Sequence, residues 1–379
     1  MKTAKNRKQS TARLIAAGSE NSADLRYACG FQPTDPVVLL HTARERHLVV
    51  PMLELGRARN EAPTATVHTP GDLGLSPSDR RSLAAWTVAI TKKTKTQRVR
   101  VDSFFPAGIM RALEAANVRV EIADDALYPE REIKSAKEIE FIAQSQRAAA
   151  QAMRAAVEEI RAAHVNRAGE LVSGKKTLSS ERLRQLIQIV LLKNDCDGKE
   201  TIAACGRHAA DPHHRGEGPL RAGETIVLDI FPQHLKTGYW GDITRTVVKG
   251  PASAALKRLY RAVLNAQRVA REMIKPGIRA DQVHQNVART LSSAGYQTKM
   301  RDGVPVGFFH GTGHGVGLSI HENPRVALAS DVLRVGHVVT VEPGLYYPEL
   351  GGVRIEDTVA VTKSGAKILA ACPYTFEIK

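Results

Sequence analysis

Residues 225–246, TIVLDIFPQHLKTGYWGDITRT, constrain the fold more than any other stretch of this chain. Two β-branched runs flank the turn-rich LKTG segment, so the chain must double back as a hairpin, and each run carries an aspartate. In strand phase Asp229 shares a face with Val227 and Phe231, while Asp242 goes with Thr244 and Thr246. The pattern predicts two carboxylates across from each other in an apolar setting. Buried carboxylates at such range drive one pKa up sharply unless something cationic sits between them. A metal ion is the simplest neutraliser.

Two further acids occupy comparable positions. Glu342 ends the apolar strand of HVVTVEPG, immediately before a Pro-Gly turn, and Glu356 lies in GGVRIEDTV two residues after Arg354, on the same face. Asp357 points the other way. Any one of these acids alone reads as a strand-end carboxylate in water or in an ion pair; four at strand positions in one domain favour ligation. FFHGTGHGVGLSIHENP adds His310, His314 and His321, in a segment whose glycines argue against a helix and for close backbone approach to a site. CGRHAADPHHRGEG offers His208, His213 and His214 upstream of Asp229. The other histidines, His41, His47, His68, His164, His234, His284 and His337, read as structural. One histidine with four carboxylates is an oxygen-rich set suited to a pair of divalent first-row ions. Such a pair lowers the pKa of a shared water, polarises a carbonyl and clamps a tetrahedral intermediate, so the expected chemistry is hydrolysis.

At 379 residues the chain exceeds what one core usually supports, and two domains are expected. From DPVVLLH to VRVEIAD, β-branched runs alternate with helix-like segments, the pattern of an α/β domain over residues 1–130. Then Pro129 breaks the chain, Ser135 can cap a helix with Glu138 three residues on, and Ile139, Ile142, Ala149, Met153 and Ile160 keep to one helical face. This helix opens a second domain, 131–379, which mixes amphipathic helices with antiparallel strand pairs in an α+β arrangement.

Charge raises another possibility. The balance of 54 basic against 39 acidic residues gives +15, which invites a nucleic-acid reading. The densest basic stretches, MKTAKNRKQSTAR and TKKTKTQRVR, carry no aromatic residues for stacking on bases, so solvated surface is the better reading. Four cysteines without a C-x-x-C pair read as free thiols in a reducing compartment, the cytoplasm. No run is apolar enough to span a membrane, and residues 1–19 lack the centre of a secretion signal, although their lack of acids leaves an organelle-targeting extension open. GELVSGKK (169–176) misses the phosphate-loop pattern at Lys176, and reads as a loop between helices.

Taken in order, the two aspartates with DITRT, then GHGVGLSIHE, VEPG and GGVRIED, resemble the M24 metallopeptidases of the pita-bread fold. ADLRYACGF and REIKSAKEIE are similar to the N-terminal domain and domain junction of the aminopeptidase P and prolidase branch. The resemblance implies a creatinase/prolidase-like N-terminal domain, a dinuclear centre, and hydrolysis of Xaa-Pro bonds by a metal-bridging hydroxide. It assigns Asp229 to one metal, Asp242 and Glu356 to both, and His314 with Glu342 to the other, with Glu342 also the proton shuttle. By the same resemblance His213 lies on the substrate side, His310 and His321 hold the scissile carbonyl and the substrate main chain, and Arg354 marks the proline-specific branch. The ions implied are manganese, or else cobalt or zinc; the implied partners are a peptide with proline second and a second copy of the chain.

One departure is visible. In the family the aspartates usually stand eleven positions apart, whereas here thirteen separate Asp229 from Asp242, and the eleven-position slot holds Phe231. An even insertion preserves strand phase, and PQHLKTG is turn-rich enough for a longer hairpin; a register that put Phe231 in the ligand position would cost one metal its terminal carboxylate. The gap from His213 is one shorter than the family's, so His214 competes for its role. The rival readings are a non-catalytic binding protein on the same fold and a metal-free hydrolase of the creatinase kind.

Overall fold

Alternating burial explains the first part of the chain. In the computed structural model, which describes residues 11–18, 22–124 and 126–379, the chain divides into two compact units, Met1–Arg131 and Glu132–Lys379. Most of the basic N-terminal stretch, and most of the segment open to a targeting role, lie outside the described residues. The first unit is built on a six-stranded sheet in the order Thr66–His68, Arg46–Val49, Val37–His41, Ala12–Ala17, Arg98–Val101, Arg119–Ile122. Ile15 and Leu39 face one core with Leu25 and Phe31; Leu14, Val38 and Leu40 face another with Trp86, Ile90 and Leu113. A sheet covered on both faces needs apolar residues at every position, which is why DPVVLLH reads as a continuous run rather than an alternation.

The second unit opens on the long helix Ala136–Ala162. Ser135 accepts from the Glu138 N–H while the Glu138 carboxylate accepts from the Ser135 N–H, a reciprocal cap that fixes where the helix starts. Ile142, Ala149, Met153 and Ile160 are buried, and with helix Ser180–Leu192 they cover a four-stranded sheet of Ile202–Cys205, Thr225–Ile230, Ile243–Lys249 and Glu377–Ile378. Helices Ala254–Met273 and Ala280–Ser293 back a five-stranded sheet of Glu322–Val326, Gly313–Gly315, Val338–Val341, Asp357–Thr362 and Gly365–Ile368. The unit thus consists of two halves of one plan, a sheet behind a helix pair. Residues 169–176 form part of a small three-stranded sheet, with strands Leu171–Ser173 and Lys176–Thr177, rather than the loop expected from sequence.

All four cysteines are free and buried. No helix among the described residues is long and apolar enough to cross a membrane.

Candidate active site

The hairpin of residues 225–246 forms, with a register that decides what faces what. Pairing runs from Thr225↔Val248 through Asp229↔Thr244 to Ile230↔Ile243, the isolated Gln233↔Trp240 bridge further out keeps the same register, and the Gly241 N–H donates to the Pro232 carbonyl at 2.9 Å. Asp229 and Asp242 therefore share a face but are not opposite each other, contrary to the sequence expectation: Asp229 lies across from Thr244, and the register carried on to the Gln233↔Trp240 bridge sets Phe231 across from Asp242. The register carries through to the Gln233↔Trp240 bridge, which leaves residues 234–239 for the turn. Asp229 keeps its phase, as an even insertion requires.

Asp242 is clamped by the long helix. Gln146, itself buried, accepts from the Asp242 N–H at 2.7 Å and donates to its carbonyl at 2.7 Å. Gly241 lets the helix this close, because a Cβ there would come within 2.7 Å of the Gln146 nitrogen. Glu356 sits between strands Gly351–Arg354 and Asp357–Thr362, where the chain changes sheets; its N–H donates to the Thr244 carbonyl at 3.0 Å, and its Oε2 accepts from the Thr244 hydroxyl at 2.7 Å. Glu342 follows strand Val338–Val341 directly, and its N–H donates to the Thr312 carbonyl at 2.8 Å.

His314 is centred in the short strand Gly313–Gly315. Its neighbours must be glycine: a Cβ on Gly313 would lie 2.0 Å from the Thr340 carbonyl oxygen, and one on Gly315 2.3 Å from that of Asn323. The ring donates through Nδ1 to the Gly315 carbonyl at 3.1 Å, which makes Nε2 the bare lone pair. That lone pair faces Asp242 Oδ2 at 3.6 Å and Glu342 Oε1 at 3.4 Å. Burial pushes the ring down to about 3, so it is neutral there.

These side chains meet in one cavity of about 670 Å³ lined by Asp229, Asp242, His314, Glu342 and Glu356, together with His213, His310, His321 and Arg354. All nine residues singled out from the sequence reach it. Of the neighbouring pair, His213 lines the cavity, whereas His214 stacks on His208 at 4.1 Å between ring centroids and accepts from the Gly216 N–H at 3.0 Å. His321 meets the His314 ring edge-on at 4.3 Å. The REIKSAKEIE segment contributes Lys134, whose buried ammonium donates to Glu322, the residue after His321, at 2.6 Å.

Tyr346 and Arg325 are among the cavity residues that the sequence reading did not single out. Tyr346, four residues after Glu342 and so in its strand phase, accepts from Arg354 Nη1 at 2.9 Å and must donate to His310 Nε2 at 3.0 Å, because His310 Nδ1 donates to the Gly311 carbonyl at 2.7 Å. Arg354 Nη2 also donates to Asp229 Oδ2 at 2.7 Å, so one chain of hydrogen bonds joins His310, Tyr346, Arg354 and Asp229. For His310 to hold a carbonyl, it must first release Tyr346. The second is Arg325, four residues after His321. Its side chain lines the cavity and, among the described residues, no hydrogen bond or ion pair is recorded to its guanidinium. A lone arginine in strand Glu322–Val326 carries no signal that separates it from a surface charge.

Residues 140–363 match the metallopeptidase family M24, and residues 6–133 match the creatinase/prolidase N-terminal domain. The chain belongs to metallopeptidase family M24. It is 34% identical over 277 residues to the Xaa-Pro dipeptidase of Pyrococcus horikoshii, covering 71% of this chain and 72% of that one. Among solved structures, the prolidase of Pyrococcus horikoshii superimposes with a TM-score of 0.77 at 30% identity over 96% of this chain and 94% of its own. The Xaa-Pro dipeptidase of Bacillus anthracis gives 0.82 at 25% identity over 97% and 94%. The fold is a creatinase-type α/β domain followed by an M24 pita-bread domain.

M24 metallopeptidases use divalent metal ions, and the side chains of this cavity fit such ions. Ligating atoms of Asp242, His314 and Glu356 lie within 4.8 Å of one another. Asp229 Oδ1 and Glu356 Oε1 are buried without a hydrogen-bond partner among the described residues. Without a cation, desolvation and mutual repulsion push the carboxyls of Asp242 and Glu356 well up, and desolvation brings Glu342 to about 7 despite Arg354. A lone pair and four carboxylates turned toward a common space can all be ionised together only around positive charge.

Proposed function

We propose that this M24 protein is a divalent-metal-dependent Xaa-Pro dipeptidase, releasing proline from the second position of a dipeptide. The reading is carried by the convergence of Asp229, Asp242, His314, Glu342 and Glu356 on one cavity. The relatives named Xaa-Pro dipeptidase and prolidase support it. Asp242, His314, Glu342 and Glu356 would hold one ion, and Asp229 with the shared Asp242 and Glu356 a second. Bound there, divalent ions supply Lewis acidity toward water and a peptide carbonyl. Manganese is the proposed ion, with cobalt and zinc as alternatives; a cytoplasmic homodimer completes the reading.

The protein's own groups supply the rest. Glu342 can take a proton from the attacking water and pass it to the leaving secondary-amine nitrogen of proline. His213 and His321 stand on the substrate side, and Phe231, Phe309, Ile320 and Ala327 give the cavity apolar walls for a pyrrolidine ring. Arg325 favours dipeptides over longer peptides, since its guanidinium can pair with a free carboxylate that only a dipeptide presents at that depth.

The test is a comparison of Xaa-Pro dipeptides with Xaa-Pro peptides extended at the C-terminus, using protein stripped by chelator and resupplied with Mn²⁺. Dipeptides should be hydrolysed with the higher kcat/KM, and only after metal is restored. Replacing Arg325 with leucine should raise KM for dipeptides by about 10- to 100-fold, the worth of one charge-assisted contact, and leave extended peptides nearly untouched. Faster cleavage of extended peptides would make the enzyme an aminopeptidase. Absence of both activities would defeat the proposal.

A further inference from the structure

We infer that the buried Lys134–Glu322 ion pair is a positioning device for His321: it fixes the loop of residues 316–321 from inside, so that the histidine at its end is presented to the cavity. The inference rests on the Xaa-Pro reading for its kinetic readout alone, since that reading gives neither Lys134 nor Glu322 a part.

His321 does little to hold itself. It lines the cavity yet is exposed, and among the described residues no hydrogen bond is recorded to its ring, which meets the His314 ring edge-on at 4.3 Å. The ring must take its place from its backbone. That backbone is the end of a loop between strands Gly313–Gly315 and Glu322–Val326, closed where Gly315 pairs with Glu322. On one side of the loop the Gly317 carbonyl accepts from the Trp240 N–H at 2.8 Å.

The Glu322 carboxylate fills the inside. It accepts from the Ser319 N–H at 3.3 Å, and it reaches there because residue 317 is glycine: a Cβ on Gly317 would come within 2.3 Å of Glu322 Oε1. The same Oε1 accepts from Lys134 Nζ at 2.6 Å, with the two side chains 1% and 11% exposed for lysine and glutamate respectively. Lys134 is placed in turn by its own backbone, whose N–H donates to the Gly336 carbonyl at 2.9 Å, and its ammonium donates also to the Glu132 carbonyl at 3.3 Å. Desolvating both charges offsets much of their attraction, so an apolar pair of the same size would serve stability about as well. What an apolar pair cannot supply is an acceptor for Ser319 and a fixed point within the loop that ends in His321.

The experiment is a double-mutant cycle between the pair and His321. Lys134→Met combined with Glu322→Met removes both charges and leaves no unpaired ion; circular dichroism and retained Mn²⁺ should match wild type. The paired variant should lower kcat/KM for an Xaa-Pro dipeptide at least about tenfold, yet cost less than about twofold once His321→Ala is already present, because a misplaced histidine has little left to lose. Losses that multiply overturn the inference, as does a paired variant within about twofold of wild type. Should the paired variant fail to fold, Glu322→Gln keeps the shape of the side chain and must show the same non-additivity with His321→Ala. Hydrogen exchange gives a readout independent of activity: backbone amides of residues 316–322 should exchange at least about tenfold faster in the paired variant, while the helix Ala136–Ala162 beyond its first turn keeps wild-type protection. Unchanged exchange in the loop, or an equal loss of protection in the helix, makes the pair a general stabiliser and overturns the inference. A wild-type chain that hydrolyses no Xaa-Pro substrate defeats the proposed function alone, and the exchange measurement then decides the inference.

Discussion

Two groups of side chains in the Glu132–Lys379 unit bring three ligating atoms within 4.8 Å of one another: Asp242, His314 and Glu356, and His208, His214 and Glu217. By distance alone they are equals. The first group is buried, with Glu356 Oε1 unpartnered and the His314 lone pair turned toward carboxylates. The second is open to water, with the Glu217 side chain 73% exposed. His214 has also committed Nδ1 as an acceptor to the Gly216 N–H, so its Nε2 carries the proton of the neutral ring and has no lone pair to offer. Proximity brings ligands together in both places; only burial without alternative partners makes a cation necessary. The exposed group is open to water and neighbouring backbone, whereas in the buried one Glu356 Oε1 has no partner among the described residues.

The contrast breaks most visibly at Glu342. Glu342→Ala removes the proposed ligand and proton carrier from the buried group, and kcat for Xaa-Pro hydrolysis should fall by at least about 10³-fold, with circular dichroism unchanged. Activity within tenfold of wild type would show that the buried group is a structural cluster rather than a centre of chemistry.

A smaller effect, of opposite sign, is expected for stability. Glu356 binds its proton more tightly folded than unfolded. Its contribution is therefore fully present below the unfolded carboxyl value near about 4.3 and is lost as pH rises through the folded value. In chelated protein Glu356→Gln should match wild type at pH 5 and exceed it by about 1–3 kcal/mol at pH 8, by urea unfolding. With Mn²⁺ present the order should reverse. A variant no more stable than wild type at pH 8 in chelator would mean that the buried carboxylates are already neutralised by the protein.

The same contrast explains what could be read from the sequence. The capping box at Ser135, the hairpin and the strand-end position of Glu342 were legible because each is set by local chemistry: a side chain reaching three residues on, a turn, a Pro-Gly stop. The phase of Arg354 and Glu356 placed both in the cavity even though the strand ends between them. Register was not legible, because whether two extra residues swell a turn or lengthen a ladder depends on the Gln146 clamp and the Gln233↔Trp240 pairing, which come from distant or cross-strand partners. The hydrogen-bonded line from His310 through Tyr346 to Arg354 was missed for a similar reason. Tyr346 pairs across a two-stranded ladder with Gly352, and only that packing turns an ordinary tyrosine into a link between a histidine and an arginine. The two-halves plan is likewise a matter of packing, carried by helix pairs whose sequences share little.

The smallest expected effect tests the exposed group. His208→Ala combined with His214→Ala removes two of its three ligating side chains, and His214 is the residue that competed with His213 in the sequence reading. Manganese retained after gel filtration should be unchanged, and kcat/KM for an Xaa-Pro dipeptide should stay within about twofold, since surface substitutions away from packed or buried features seldom move stability by more than about 0.5 kcal/mol. His213→Ala, one residue away but lining the cavity, should by contrast lower kcat/KM while leaving the metal content alone. If the double variant instead lost an ion, exposure and a committed Nδ1 would not be enough to exclude ligation, and the rule drawn from the buried group would fail for histidine pairs stacked as closely as His208 and His214.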